Sequence, residues 1–420
     1  MARVGPSRVT MKRRSQLWRP ALTARGRAAR KAGQVTQETR IDSDSQNRYV
    51  SHFTDLVQDV KEAGLLERRR GYYWWQIGVH VAAFFAIWVG FFLLGNSWFQ
   101  LILAGALGVI VTQFGFLGHD AAHRQMFTSS AWNSWTARIL AGAFAGLSFA
   151  WWRSKHNMHH KAPNLEGYDP DIGPGAIAFT PGIVAQRTTG FAGWFVQRQG
   201  WLFFPLLTLE GLNLHAESIR AARDKQSKQP WRRVELFLVV TRLAAYVAIL
   251  LAFLPLGKAV AFFAVQMAVF GFCLGASFAP AHKGMPIIPP EMKLDFLRRQ
   301  VMVSRNVRGN PVVDWAMGGL NYQIEHHLFP NMPRCNLKKA QPLVRAHCER
   351  EGIDYMEVGL FNSYAIVVDY LNNVGLRARD PFDCPLSAQL RAPALSQRRL
   401  TPYGWCTRSH RPIDPKAVMS

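Results

Sequence analysis

Acidic side chains are scarce in this chain: 27 Asp and Glu stand against 50 Lys and Arg in 420 residues, a formal net charge of +23. That imbalance excludes a self-neutralised surface and implies an anionic partner. Nucleic acid and lipid headgroups are the two candidates. No nucleic-acid motif occurs, so no nucleic-acid partner is expected; the charge reads as affinity for anionic lipid and as the bias that orients membrane proteins. Cysteines are also few. Cys273, Cys335, Cys348, Cys384 and Cys406 form no CxxC pair, which excludes a disulfide scaffold and a ferredoxin-type cluster. They read as reduced thiols. No GxGxxG loop stands in a strand–helix context, so no built-in nucleotide or flavin site is expected. The segment before Trp74 is rich in arginine and lacks an apolar core, so it does not read as a cleaved secretory signal.

Apolar residues are plentiful, and they are concentrated. The chain is 49% hydrophobic, yet its mean hydropathy is only −0.03. Four runs account for this: Trp74–Leu94, Trp98–Leu117, Val234–Leu254 and Lys258–Ala279. Each is roughly 20 residues, or about 30 Å as helix, enough to cross a bilayer core. Gly95-Asn96-Ser97 joins the first two, and Pro255-Leu256-Gly257 joins the last two. These turns carry almost no charge. The segment before the first run carries Arg68, Arg69 and Arg70, and the loop between the pairs carries Arg124, Arg153, Lys155, Arg220, Arg223, Arg232 and Arg233. The positive-inside rule then puts both termini and the central loop in the cytoplasm. Glu235 and Arg242, near one end of the third run, are expected to snorkel to the interface.

The expected fold class is an all-α integral membrane protein. Four transmembrane helices form two hairpins, with interfacial helices and a cytosolic helical cap that holds a di-metal centre. Residues 1–46 read as a basic disordered arm, 47–375 as the membrane domain, and 376–420 as a disordered tail. A helix is expected from Asn47 to Leu65, with Phe53, Leu56, Val57, Val60 and Leu65 as its apolar stripe. Ala137–Trp152 and Trp201–Leu209, rich in Trp and Phe, read as interfacial helices. Pro163–Pro181 reads as loop.

Three short clusters hold seven of the 13 histidines: His119-Asp-Ala-Ala-His123, His156-Asn-Met-His159-His160 and Gln323-Ile-Glu-His326-His327. Residues at i, i+3 and i+4 share one helix face, so each cluster aims its imidazoles at one spot. Neutral imidazole is a ligand for iron, zinc or copper. Gln323 offers a weak oxygen ligand or leaves a position open. His282, three residues past Ala279, reaches the membrane surface as His119 does, and is a further candidate ligand. Asp120 and Glu325, inside the first and third clusters, and His215 are candidates for orienting or packing roles. His52, His80, His347 and His410 stand alone and are assigned no role. Eight imidazoles exceed the needs of one ion. Two redox metals fit better than a zinc with four ligands, and iron is the expected metal. A nitrogen-rich di-iron centre beside lipid suits oxygen-dependent attack on an unactivated C–H bond.

The clusters with their flanks resemble the histidine boxes of the membrane fatty acid desaturases. The matching strings are Gly118-His-Asp-Ala-Ala-His123, Lys155-His-Asn-Met-His-His160 and Gly319-Leu-Asn-Tyr-Gln-Ile-Glu-His-His-Leu-Phe-Pro330. Glutamine at the head of the third box is similar to the bacterial acyl-CoA and front-end branch. The resemblance covers about residues 47–375. It implies a mushroom-shaped four-span fold, two iron ions, dioxygen as co-substrate, and a cis double bond placed in a long acyl chain, held as acyl-CoA or acyl lipid. It implies that His119, His123, His156, His160 and His327 hold one iron. His159, His282 and His326 would hold the other, completed by Gln323 or water. The cytochrome b5 signature His-Pro-Gly-Gly of some relatives is absent, so no bound haem or flavin is expected. Electrons would come from a separate carrier and an NAD(P)H reductase. A related hydroxylase or ketolase shares the boxes. A metal transporter is a rival from another class, but its ligands would lie mid-span.

Overall fold

The computed structural model describes residues 53–224, 229 and 231–376. The expected arm, the expected tail from residue 377, Cys384 and Cys406 lie outside the described residues. Helix α1 covers residues 53–62, within the helix expected from Asn47. Helices α2 (Arg70–Leu94) and α3 (Gln100–Ala122) follow, the first ending at Gly95, where φ is 59°. After α3 come α4 (Ser130–Arg138), a π-helical turn (Ile139–Ala145) and α5 (Phe149–Lys161). Short helices α6 (Pro181–Ala185), α7 (Gly190–Val196) and α8 (Gln199–Leu207) lead to α9 (Glu210–Arg223). Helices α10 (Arg232–Phe253) and α11 (Leu256–His282) complete the apolar set. Among the described residues, α2, α3, α10 and α11 are the four helices long and apolar enough to cross a membrane. Their outer faces leave Trp75, Phe85, Leu93, Phe237, Leu251 and Phe253 exposed. In water such a surface would be costly; in hydrocarbon it is not.

The two apolar turns meet, since Lys258 Nζ lies 2.7 Å from Asn96 Oδ1. The most extensive packing between two helices is that of α3 and α11, which belong to different pairs. Gly108 makes this approach possible: a Cβ there would lie 2.8 Å from Val269 Cβ and 2.9 Å from the Gln266 carbonyl. Both helices run past their expected ends, Leu117 and Ala279, and continue through Ala122 and His282. His119 and His282 therefore ride on the last turns of two packed helices rather than beyond them.

The stretch expected as one interfacial helix, Ala137–Trp152, is broken in three. It comprises the end of α4, the π-helical turn with Gly146 at φ 76°, and the start of α5, capped by Ser148. Phe144 stacks on Phe114 of α3 at 4.4 Å between centroids, so this turn packs against the spans. Two snorkelling expectations fail here. Arg242 Nε donates to the Phe144 carbonyl at 3.1 Å. Glu235 is buried and accepts from Arg138 Nε, Ser148 Oγ and the Ala150 N–H. The π turn and the helix start leave unpaired backbone groups, which draw these side chains inward.

Beyond α11 lie α12 (Phe296–Met302), β1 (Asn306–Val307), α13 (Pro311–Ala316), α14 (Gln323–Leu328), α15 (Arg334–Arg350), β2 (Glu357–Val358) and α16 (Leu360–Leu376). β1 and β2 pair in parallel. The stripe Leu56, Val60 and Leu65 buries against Leu297, Val301, Ile324, Leu328 and Val344, so α1 packs on the body that carries the third histidine cluster. The second expected interfacial helix, Trp201–Leu209, appears as α8; its Phe203 and Leu207 pack with Ala276 and Ala279 of α11 and Leu371 of α16.

Candidate metal centre

Three local structures aim the histidines. On α3, His119 precedes the end by one turn, and His123 closes it, its N–H bonding the His119 carbonyl at 3.0 Å. On α5, His156, His159 and His160 occupy one face. α14 is a six-residue helix in which every residue is buried. The chain reaches it through Gly318 and Gly319, both at positive φ. A Cβ at Gly319 would lie 2.6 Å from Arg334 Cγ, so glycine is required there for both conformation and space.

The imidazoles form two neighbouring sets. Ligand nitrogens of His119, His123, His156 and His326 lie within 4.8 Å of one another, and so do those of His159, His282 and His327. His160 sits between them: its Nε2 is 2.9 Å from that of His156, and its ring stacks on His327 at 4.2 Å. The partition implied by the resemblance, His327 with the first set and His326 with the second, is the reverse of this geometry. Adjacent residues on a short helix face different ways, and spacing alone could not say which way.

The second set shows why a cation fits. His282 Nδ1 lies 3.0 Å from the Val303 carbonyl, and His327 Nδ1 lies 2.8 Å from Gln300 Oε1. His159 Nδ1 lies 3.0 Å from Asp169 Oδ2. These acceptors take the ring protons at Nδ1, so each Nε2 presents a lone pair. Yet His282 Nε2 is 3.2 Å from His159 Nε2 and 3.1 Å from His327 Nε2. Gln323 Nε2, 3.0 Å from His282 Nε2, satisfies one of them; the Gln323 oxygen is buried without a partner. Converging lone pairs repel unless a positive ion lies among them.

The first set gives the same result by another route. His119 Nε2, His123 Nε2 and both ring nitrogens of His326 are buried with no hydrogen-bond partner. Burial without a partner costs about 1–3 kcal/mol per group, which a bound metal would offset. Burial pushes His123 down to about 3. Burial, and then the charges of neighbouring imidazoles, hold His156, His160, His326 and His327 well below the ordinary histidine value. All are therefore neutral and ready to ligate. The donor set is almost purely nitrogen, which suits a first-row transition metal over calcium or magnesium.

Of the residues expected to support the histidines, Asp120 is beside one of them. Its Oδ1 is 3.2 Å from His119 Nδ1, and its Oδ2 pairs with Arg334 Nε at 2.8 Å. Glu325 is not: it bonds Tyr355 Oη at 2.6 Å and Asn306 Nδ2 at 2.7 Å, and burial pushes its carboxyl up to about 7. The helix turns it away from its histidine neighbours. His215 belongs to neither set. It packs on Phe270, faces the Gly211 and Ala145 carbonyls, and is pushed by burial down to about 4. Asp169, Gln300 and Val303 were missed. Burial tends to raise the Asp169 carboxyl, but its bond to His159 outweighs that and holds it below the usual range. The one signal for Asp169 was a buried-type acidic pair, Asp169-Pro-Asp171, inside a loop.

Residues 96–359 match the profile of the fatty acid desaturase family, and the chain belongs to that family. It is similar to the Delta(8)-fatty-acid desaturase of Helianthus annuus, at 27% identity over 78% of this chain and 74% of the relative. It is also similar to the Delta(6)-fatty-acid desaturase of Caenorhabditis elegans, at 26% over 78% and 76%. The acyl-lipid (9-3)-desaturase of Physcomitrium patens is 31% identical over 66% of this chain and 54% of its own length. The chain is thus an integral membrane fatty acyl desaturase.

Proposed function

We propose that this enzyme places a cis double bond in a long acyl chain, most simply an acyl-CoA, with dioxygen as co-substrate and two iron ions as cofactor. Two adjacent sets of buried imidazoles at the ends of packed apolar helices carry this reading. His119, His123, His156 and His326 would hold one ion. His159, His282 and His327, with Gln323, would hold the other, and His160 lies within reach of both. The bound metals supply the reductive activation of oxygen that C–H cleavage requires. In the overall reaction two adjacent carbons each lose one hydrogen, and one O2 takes these with two electrons and two protons to give two waters.

The chain's own residues supply the setting. Burial keeps the imidazoles neutral, and Asp169, Gln300 and the Val303 carbonyl fix the ring protons on Nδ1. Apolar helices bring the acyl chain to the same ends that carry His119 and His282. The arginines at the starts of α2 and α10 lie at those ends too, which supports a cytoplasmic metal centre and termini. Electrons come from a separate carrier fed by an NAD(P)H reductase, and the basic face suits an acidic carrier.

Lipid profiling after expression in a host lacking desaturase tests the reading. A product two mass units lighter supports it, and a gain of one oxygen would make the enzyme a hydroxylase. The plant and moss relatives favour a second substrate form, because one is named for acyl lipid. Labelled acyl-CoA and labelled phospholipid, supplied separately to membranes, distinguish the two. Purified chain given only NAD(P)H and oxygen should not turn over.

A further inference from the structure

We propose that Val303–Asn306 is a strut that sets the second histidine set, with Arg305 as a positioning residue for His282; this rests on the metal-centre reading above. The reasoning begins at the end of α11. The last carbonyls of a helix have no partners within it. Pro280, inside the final turn, also lacks an N–H, and Tyr364 Oη takes up the Ala276 carbonyl at 3.1 Å. Asn164 Nδ2 and the Met285 N–H hold the His282 carbonyl at 3.2 and 3.1 Å, and Arg305 takes up the two carbonyls before it. Its backbone N–H donates to the Ala281 carbonyl at 2.8 Å. Its Nε donates to the Pro280 carbonyl at 2.8 Å, and its Nη2 to the Lys283 carbonyl at 2.9 Å. The guanidinium therefore straddles the residue that carries the ligand. Two residues earlier, the Val303 carbonyl accepts from His282 Nδ1 at 3.0 Å. One short segment fixes both the helix end and the ring.

Arg305 is 0% exposed and heads the fully buried side chains by volume. Among the described residues it forms no ion pair, and its Nη1 has no partner. A buried cation without a carboxylate is expensive, so a hydrophobic residue would serve packing better. What arginine offers is a planar fork that spans two carbonyls at the negative end of a helix.

The next residue grips the other ligand carrier. Asn306 Oδ1 accepts the Ile324 N–H at 2.9 Å, and its Nδ2 donates to Glu325 Oε2 at 2.7 Å. Val307 N–H donates to the Asn321 carbonyl at 2.9 Å. Asn306 N–H bonds the Met356 carbonyl at 2.9 Å, which ties the strut to β2. His282 and His327 are 45 residues apart in sequence, yet both are referenced to adjacent residues, and their Nε2 atoms lie 3.1 Å apart.

The test uses full-length chain in detergent, stripped of metal and titrated with Co2+ alone against a chelator, with absorption as the readout. Wild type should bind two ions. Arg305→Lys, which keeps the charge but loses the fork, should bind one ion as wild type does and the other about 10–100-fold more weakly. Asn306→Ser should weaken both, because α14 carries one imidazole of each set. In a His282→Ala background, which should retain one ion, Arg305→Lys should leave the affinity for that remaining ion unchanged, since its effect passes through the His282 ring. Unchanged affinity for both ions in Arg305→Lys would overturn the proposal. So would equal weakening of both ions, or weakening of the remaining ion in the His282→Ala background, because either marks a general loosening of the fold. If Arg305→Lys does not fold, Asn306→Ser decides: weakened binding of both ions at an unchanged melting temperature supports the strut, and wild-type binding, or weakening that comes with a lowered melting temperature, overturns it. A wild-type chain that binds no Co2+ defeats the metal-centre reading instead.

Discussion

Both histidine sets lie largely buried, with His123 alone half-buried, but they are not equally held. In the second, Asp169, the Val303 carbonyl and Gln300 each take an imidazole Nδ1 proton. In the first, Asp120 does this for His119, while His326 has no hydrogen bond at either ring nitrogen. The second set is aimed by the protein before any ion arrives. The first is gathered by helix geometry and burial, and its final aim depends on the ion. Removing a supporting group should therefore weaken the second set far more than the first.

Removing a proposed ligand should have the largest effect. His282→Ala takes one of three imidazoles from the second set. Iron should fall from about two per chain to about one, and desaturation should drop on the order of a hundredfold or more. Elemental analysis and product measurement on the same preparation check both. Full iron with normal product would reduce His282 to an interfacial residue and end the comparison.

Substituting one carboxylate in each set sharpens it. Asp169→Asn keeps one oxygen of the two that now accept from the Asn164 N–H (Oδ2, 2.8 Å) and the Asp171 N–H (Oδ1, 2.9 Å), so it orphans one of these donors and weakens the acceptor on His159. Affinity for one ion should fall about tenfold or more, and the orphaned N–H should cost about 1 kcal/mol of stability. Asp120→Asn should do the opposite. It leaves the buried Arg334 guanidinium without its ion-pair partner, which should cost about 3 kcal/mol of stability. Its effect on metal affinity should be smaller than that of Asp169→Asn. Metal titration and thermal unfolding of the two variants separate these outcomes, and equal affinity losses would erase the distinction between the sets.

Gln300 tests the same point without a charge. Its Nε2 donates to the His160 carbonyl at 3.0 Å, which turns Oε1 toward His327. Gln300→Met removes that acceptor at similar volume. Affinity for the second ion should fall about tenfold, and the first should be unaffected. Gln300→Glu keeps the acceptor but loses the donor to the His160 carbonyl, so it should restore binding only in part.

These supports mark the limit of what the sequence could disclose. The spans, their turns and the i, i+3, i+4 spacing of the boxes are local patterns, and local patterns are legible. The partners of those histidines are not local. Asp169 lies in a loop ten residues from His159, Gln300 is 27 from His327, and Val303 is 21 from His282. No periodicity links such residues, so only packing reveals them. The same holds for Arg242 and Glu235. Their place on an apolar run suggested snorkelling, but the unpaired groups that hold them are on the π-helical turn and α5, far away in sequence. His326 and His327 could be placed in a centre from their spacing but not assigned to a set, because that choice depends on how α14 is rotated against α3 and α11.

The smallest expected effect comes from His347, which spacing left without a role. It is not a surface residue: it is 2% exposed, on α15, with Arg350 Nη2 3.3 Å from its Nδ1. Burial, and then the Arg350 charge, hold its pKa below the ordinary histidine value, so it is a neutral core side chain. It belongs to neither histidine set. His347→Ala leaves a small cavity and removes one contact, for a loss of about 1 kcal/mol in stability. Iron content and product should match wild type within error. This makes the variant a stringent control. If His347→Ala sheds iron as Asp169→Asn does, the centre responds to any loosening of the body behind α14. The contrast between a set held by specific acceptors and a set held by burial would then have no basis.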